Sequence, residues 1–160
     1  METLEAVQSD YELERGKPMP SWNHGLIQAR IIFELNLRYR QTHTILSELS
    51  LRLDPTDQKM VPDVTIYNEP PHLLANDQIT VHKVPFTTIE ILSPTQSLAE
   101  LTDKAAHFLT LGVKSCWLVL PGMRSVSIST QPGSYQTFDN PAKLVDPTTG
   151  IELELTSLFS

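Results

Sequence analysis

The chain has 160 residues, of which 40% are hydrophobic and 19% charged, a composition that suits one folded domain with a sizeable core and excludes a disordered chain. No apolar run approaches the roughly 20 residues of a membrane span, and the first ten residues carry Glu2, Glu5 and Asp10 without a basic stretch, so neither a span nor a secretory leader is expected. The net charge of −7 argues against a surface that is basic throughout, and the single cysteine, Cys116, excludes an internal disulfide and points to the reducing cytoplasm.

In chain order, Tyr11 to Leu13 and Lys17 to Met19 flank Glu14-Arg15-Gly16, which reads as a short hairpin or turn. Ser21 is a candidate N-cap for a helix reaching about Arg40. Ile27, Ile31 and Leu35 recur on it at helical spacing, and Arg30 and Arg38 run alongside. Residues 45–53 then alternate strictly, with Ile45, Ser47, Leu49, Leu51 and Leu53 on one face, and predict one strand. Asp54-Pro55-Thr56-Asp57 supplies a turn. Residues 63–67 predict a second strand, antiparallel to the first. Residues 69–77 form a polar loop with prolines, and residues 86–92 a third strand rich in β-branched side chains.

Ser97-Leu98-Ala99-Glu100 is a capping box, so a helix starts there and ends near Gly112. The apolar run 116–120 predicts a buried strand, parallel to the preceding one through the helical crossover. Residues 124–130, 135–138 and 151–155 predict three short strands. The fold class is therefore α/β (α+β), with a central mixed sheet flanked by helices.

Three residues in this frame carry chemistry. Asp63 follows Pro62 at a strand start. Glu90 lies within the run Phe86-Thr87-Thr88-Ile89-Glu90-Ile91-Leu92, where alternation places it with Thr88 and Leu92. A carboxylate in a central strand is costly unless paired or metal-bound. Lys104 falls at the edge of the apolar arc Leu101, Ala105 and Phe108, so its stem packs toward the sheet while its ammonium emerges near the strand ends. Two carboxylates suit a hard divalent cation such as Mg²⁺, with Mn²⁺ as a second candidate. The backbone carbonyl of Ile91 is a natural further ligand. A metal so held polarises a phosphate and lowers the pKa of a bound water, and a lysine beside it orients that water. The structural alternatives are a turn residue for Asp63, a solvent-facing edge residue for Glu90 and a solvated helix lysine for Lys104. Glu100 reads as a cap, His24 as a hydrogen-bonding surface residue, and Cys116 as a core thiol. No Gly-rich phosphate loop, GxSxG, HExxH or paired CxxC occurs.

The runs Val61-Pro62-Asp63-Val64, Ile89-Glu90-Ile91-Leu92-Ser93-Pro94, Asp103-Lys104 with Phe108, Gly112-Val113 and Trp117-Leu118-Val119-Leu120-Pro121 together resemble the restriction-endonuclease family abundant in cyanobacteria, a branch of the PD-(D/E)XK nuclease superfamily. Tyr11-Glu12-Leu13 with Gly16, His24-Gly25 and the tail Gly150-Ile151-Glu152-Leu153 extend the resemblance over nearly the whole chain. It implies a restriction-endonuclease-like fold, a Mg²⁺-dependent nuclease acting on DNA, and a homodimer. It matches Asp63 and Glu90 to the metal acids and Lys104 to a lysine moved from the strand to the helix; Leu92 stands where a literal ExK motif would place it. It further implies auxiliary roles for Glu12 and His24. Glu100 stands where the family has an aspartate, and Phe108 where it has a tyrosine. A non-catalytic module that binds nucleic acid or protein is the main alternative, and the acidic balance favours it; hydrolysis of a small phosphoester is a third reading.

Overall fold

The structure, a computed structural model, describes residues 10–160. Its centre is a six-stranded mixed sheet, within which alternation sends neighbouring side chains to two separate cores. The chain enters through helix α1 (Asp10–Arg15) and helix α2 (Trp22–Tyr39). Strands β1 (Thr44–Ser47), β2 (Ser50–Arg52), β3 (Lys59–Met60), β4 (Val64–Tyr67), β5 (Thr80–Val81) and β6 (Thr87–Ile91) follow. Helix α3 (Leu98–Thr110) crosses over to β7 (Ser115–Leu120), and β8 (Ser125–Gln131) and β9 (Ser134–Asp139) complete the large sheet. A small sheet of β10 (Lys143–Val145) and β11 (Glu152–Glu154) and a last helix α4 (Leu155–Phe159) end the chain.

The large sheet runs β1-β4-β6-β7-β8-β9. β1 is antiparallel to β4, as expected, and β6 and β7 form the expected parallel pair joined through α3. On one face Val64, Ile66, Ile89, Ile91, Trp117 and Val119 pack against Ile27, Ile31 and Leu35 of α2 and against the C-terminal segment. On the other face Cys116 and Leu118 pack with Leu101, Ala105 and Phe108 of α3 and with Leu51 and Met60. Ser21 and Ser97 cap their helices as expected, accepting hydrogen bonds from the amides of His24 and Glu100. Gly112 takes the left-handed conformation that ends α3, with φ of 109°.

Four local expectations are corrected. Of the stretch read as a short hairpin or turn at residues 11–19, residues 11–15 belong to α1: Tyr-Glu-Leu-Glu-Arg has no β-branched residue, and the Gly16 amide closes the last turn on the Glu12 carbonyl. The single strand over 45–53 is two strands in two sheets, because Glu48 is left-handed (φ 49°) and turns the chain. That turn breaks the alternation: Ile45 joins the α2 core, whereas Leu49, Leu51 and Leu53 join the α3 core. The third strand is shorter than 86–92, and β2 instead pairs with β3 and β5, two-residue strands too short to leave a periodic signal. The tail strand stops at Glu154, with Leu155 opening α4, and β10 is the partner the sequence did not reveal.

Burial separates two isoleucines of equal chemistry. Ile31 is 0% exposed and Ile79 is 91% exposed. Ile31→Ala is expected to lower unfolding free energy by about 2–5 kcal/mol, and Ile79→Ala by less than about 0.5 kcal/mol. Urea denaturation followed by tryptophan fluorescence checks both; equal losses would contradict the packing of α2.

Candidate metal centre

The site grows from strand register. Val64 pairs with Ile89 across the antiparallel β4–β6 ladder, so Asp63, one residue before β4, meets Glu90, one residue further along β6. Val64 and Ile66 face α2, which leaves Asp63 and Glu90 as neighbours at the α3 side of the sheet. Both are buried, Asp63 at 0% and Glu90 at 3% exposure. Glu90 therefore sits in a central strand, and the edge-strand alternative is excluded.

The two carboxylates are treated differently by their surroundings. Asp63 is fully bonded. Its Oδ2 accepts from the Ile91 amide at 2.7 Å and lies 3.1 Å from His24 Nε2, and its Oδ1 accepts from the Lys17 ammonium. Its backbone carbonyl accepts from Gln28 Nε2 at 3.0 Å and from the Glu48 amide at 3.0 Å. Glu90 has ionic neighbours only: Lys104 Nζ stands 3.5 Å from Oε1 and Lys17 Nζ 3.9 Å from Oε2, and neither oxygen has a hydrogen-bond partner. A buried carboxylate with both oxygens unbonded is expensive.

Their acidities diverge accordingly. Burial is the largest influence on Asp63 and pushes its pKa up, but the His24 hydrogen bond and the charges of Lys17 and His24 outweigh it and hold the group down at about 2. For Glu90 burial also dominates, and it prevails: with the Asp63 charge alongside, it raises the pKa despite Lys17 and Lys104. Neighbouring acids pushed apart in this way make the pair a candidate functional site.

The structure thus brings together Asp63, Glu90, Lys104 and His24. His24 is not at the surface: it is 3% exposed at the N-terminus of α2, turned onto Asp63, and its Nδ1 has no hydrogen-bond partner. Lys104 reaches Glu90 from α3 with a third of its side chain exposed (34%). Ile91 presents its amide to Asp63 while its side chain is in the α2 core. Glu12 lies half-buried on α1, which leads directly into Lys17. Glu100 caps α3 and Cys116 is buried, its thiol pushed up to about 12 mainly by burial, as befits an inert core group.

Lys17 is the residue that sequence reasoning missed. It is 6% exposed, and its ammonium donates to the Val61 carbonyl at 2.9 Å as well as to Asp63. Placed between Gly16 and Pro18, it reads locally as a turn lysine. The one usable signal was indirect: two adjacent buried acids demand a nearby cation.

The donor set fits a hard divalent cation. Asp63, Glu90 and a backbone carbonyl would offer oxygen donors, and Mg²⁺ commonly takes one or two carboxylates with water and phosphate completing its shell. The unbonded Glu90 oxygens are the observation that favours this fit. A cage made only of side chains is absent: among the described residues, no group of three or more His, Cys, Asp or Glu is arranged to hold a metal. Beside the site, a cleft of about 410 Å³ is lined by Lys59, Lys104 and His107 along with Asp103. No helix among the described residues is long and apolar enough to cross a membrane.

Comparison with known proteins agrees with this architecture. The crystal structure of a protein described as a putative nuclease from Anabaena variabilis superposes with a TM-score of 0.74 at 27% identity, over 89% of this chain and 83% of that one. A cryo-EM structure of a DrdV–DNA complex is a slight likeness, with a TM-score of 0.37 at 12% identity over 72% of this chain and 12% of that chain, and bears no weight. No curated protein matches. The family model described as "Uma2: Putative restriction endonuclease" matches residues 4–157, and the chain belongs to that family.

Proposed function

We propose that the protein is a Mg²⁺-dependent endonuclease that hydrolyses DNA phosphodiester bonds at Asp63, Glu90 and Lys104. The observation that carries this reading is the Glu90 carboxylate, buried in a central strand beside Asp63 with no hydrogen bond to either oxygen. Membership of a family described as restriction endonucleases supports the reaction class.

In this reading Asp63 and Glu90 would hold the cation, and the Ile91 carbonyl would be a third ligand. When bound, the cation polarises the phosphate and lowers the pKa of a bound water. Lys104, reaching in from α3, orients the attacking water and offsets charge developing on the phosphate. His24 fixes the Asp63 carboxylate in place, and Glu12 is an auxiliary acid on α1. Lys59 and Lys104 outnumber Asp103 in the charged lining of the adjoining cleft, which suits a phosphate backbone, although the chain as a whole carries a charge of −7. A homodimer completes the reading: Trp22, Leu26, Phe33 and Leu37 are exposed on α2 within one narrow stripe, the kind of surface that marks a protein contact. The net charge of −7, which already includes the site's lysines, favours the non-catalytic alternative, and the buried Glu90 beside Asp63 favours the enzyme.

Plasmid nicking with Mg²⁺ tests the roles. Asp63→Ala and Glu90→Ala should abolish cleavage, and Lys104→Ala should slow it by about 10²–10³-fold. Cleavage unchanged in Glu90→Ala and Lys104→Ala would sink the assignment.

Stability gives a second test, made without metal. A raised Glu90 pKa contributes stability below the ordinary value of 4.5 and loses it as pH climbs through the higher folded value. Above 4.5 the buried carboxyl is therefore a burden, and at neutral pH Glu90→Gln should melt at a higher temperature than the wild type. The advantage should shrink below pH 4.5, where the wild-type carboxyl is protonated in both states. Asp63 has the opposite sign: its stabilisation is present above 3.8 and is lost as pH falls through about 2. Calorimetry across this range reads both; a Glu90→Gln protein that melts below the wild type at pH 7 would contradict the strain assigned to Glu90.

A further inference from the structure

We infer that Lys17 is a built-in counter-ion that holds the cation position in the metal-free protein and must withdraw when a divalent metal enters. The inference rests on the metal reading of Asp63 and Glu90. The Lys17 ammonium is bound by the Val61 carbonyl at 2.9 Å and by Asp63 Oδ1, and lies 3.9 Å from Glu90 Oε2. One carbonyl and two carboxylates are the oxygen set that a hard divalent cation uses. A lysine this deeply buried is rare without such pairing, and here its partners are the proposed metal acids themselves.

Both cations cannot share the place comfortably. Two positive charges within a few ångströms of each other, shielded from water, repel strongly. The ammonium also occupies Asp63 Oδ1, while Oδ2 is already committed to the Ile91 amide and His24. The way out is short. Lys17 follows Gly16, whose φ of +76° needs glycine and around which a Cβ would find nothing within 4 Å. Its unbranched stem belongs to a connection between α1 and α2 rather than to the sheet, so withdrawal leaves β4 and β6 undisturbed. The device keeps the adjacent acids compensated before metal arrives and lowers the affinity for metal by the work of displacing the ammonium.

The test uses the full chain with Mn²⁺ alone, without DNA. Calorimetric titration should give a Kd about 5- to 150-fold tighter for Lys17→Met than for the wild type. In parallel, wild-type protein is treated with acetic anhydride and acetylation at Lys17 is read by mass spectrometry. Lys17 should be protected without Mn²⁺ and acetylated with it, while Glu90→Gln protein should show no such rise. The acetylation arm needs no Lys17 variant and decides the matter if Lys17→Met folds poorly. Mn²⁺ binding only to Lys17→Met supports displacement. Mn²⁺ binding to the wild type with Lys17 still protected overturns displacement and leaves the metal reading intact. Mn²⁺ binding to neither protein overturns the metal reading, and this inference with it.

Discussion

The structure turns on the register that sets Asp63 opposite Glu90. Once Val64 pairs with Ile89, two carboxylates stand side by side at the α3 face of a sheet that is otherwise lined with apolar and hydroxyl side chains. Like charges so close, and away from water, must be compensated. The rest of the site is that compensation: Lys17 arriving behind α1, His24 from the first turn of α2, Lys104 from α3, and the Ile91 amide from the neighbouring strand. Four separate segments thus converge on one pair of acids.

The compensation is uneven, and that unevenness gives the site its character. Asp63 receives three donors and stays strongly acidic. Glu90 has only two more distant ammonium neighbours, at 3.5 and 3.9 Å, and burial pushes its pKa up. Filling Glu90's missing bonds with a protein donor would have been a simple way to stabilise the fold. The open valence is intelligible if the missing partner is a cation. A local loss of stability held at a functional centre is a common arrangement, because the surrounding core is large enough to carry it.

Much of this was legible from residue order. Helical spacing of Ile27, Ile31 and Leu35, the Ser97 cap, the Gly112 stop and the apolar run before Pro121 each specify their element through strong local chemistry. Glu90 stood out because a charge interrupts a β-branched run. What escaped notice has a common physical cause. Glu48 takes a left-handed turn, its amide bonded to the Asp63 carbonyl, that residue order does not announce, so the alternation through it looks unbroken while the face changes. β3, β5 and β10 are two or three residues long and exist through pairing rather than propensity. Lys17 sits in a Gly-Lys-Pro connection with no periodicity, and its importance lies in a contact 46 residues away along the chain. His24 could be placed as a first-turn residue, but whether it faced solvent or Asp63 depended on how α2 meets the sheet.

The most direct measurement of the central claim is anomalous diffraction from crystals of the protein soaked in Mn²⁺. The account predicts a single anomalous peak between the Asp63 and Glu90 carboxylates. A peak elsewhere with this place empty, or carboxylates that stay locked onto protein donors at saturating Mn²⁺, would contradict it.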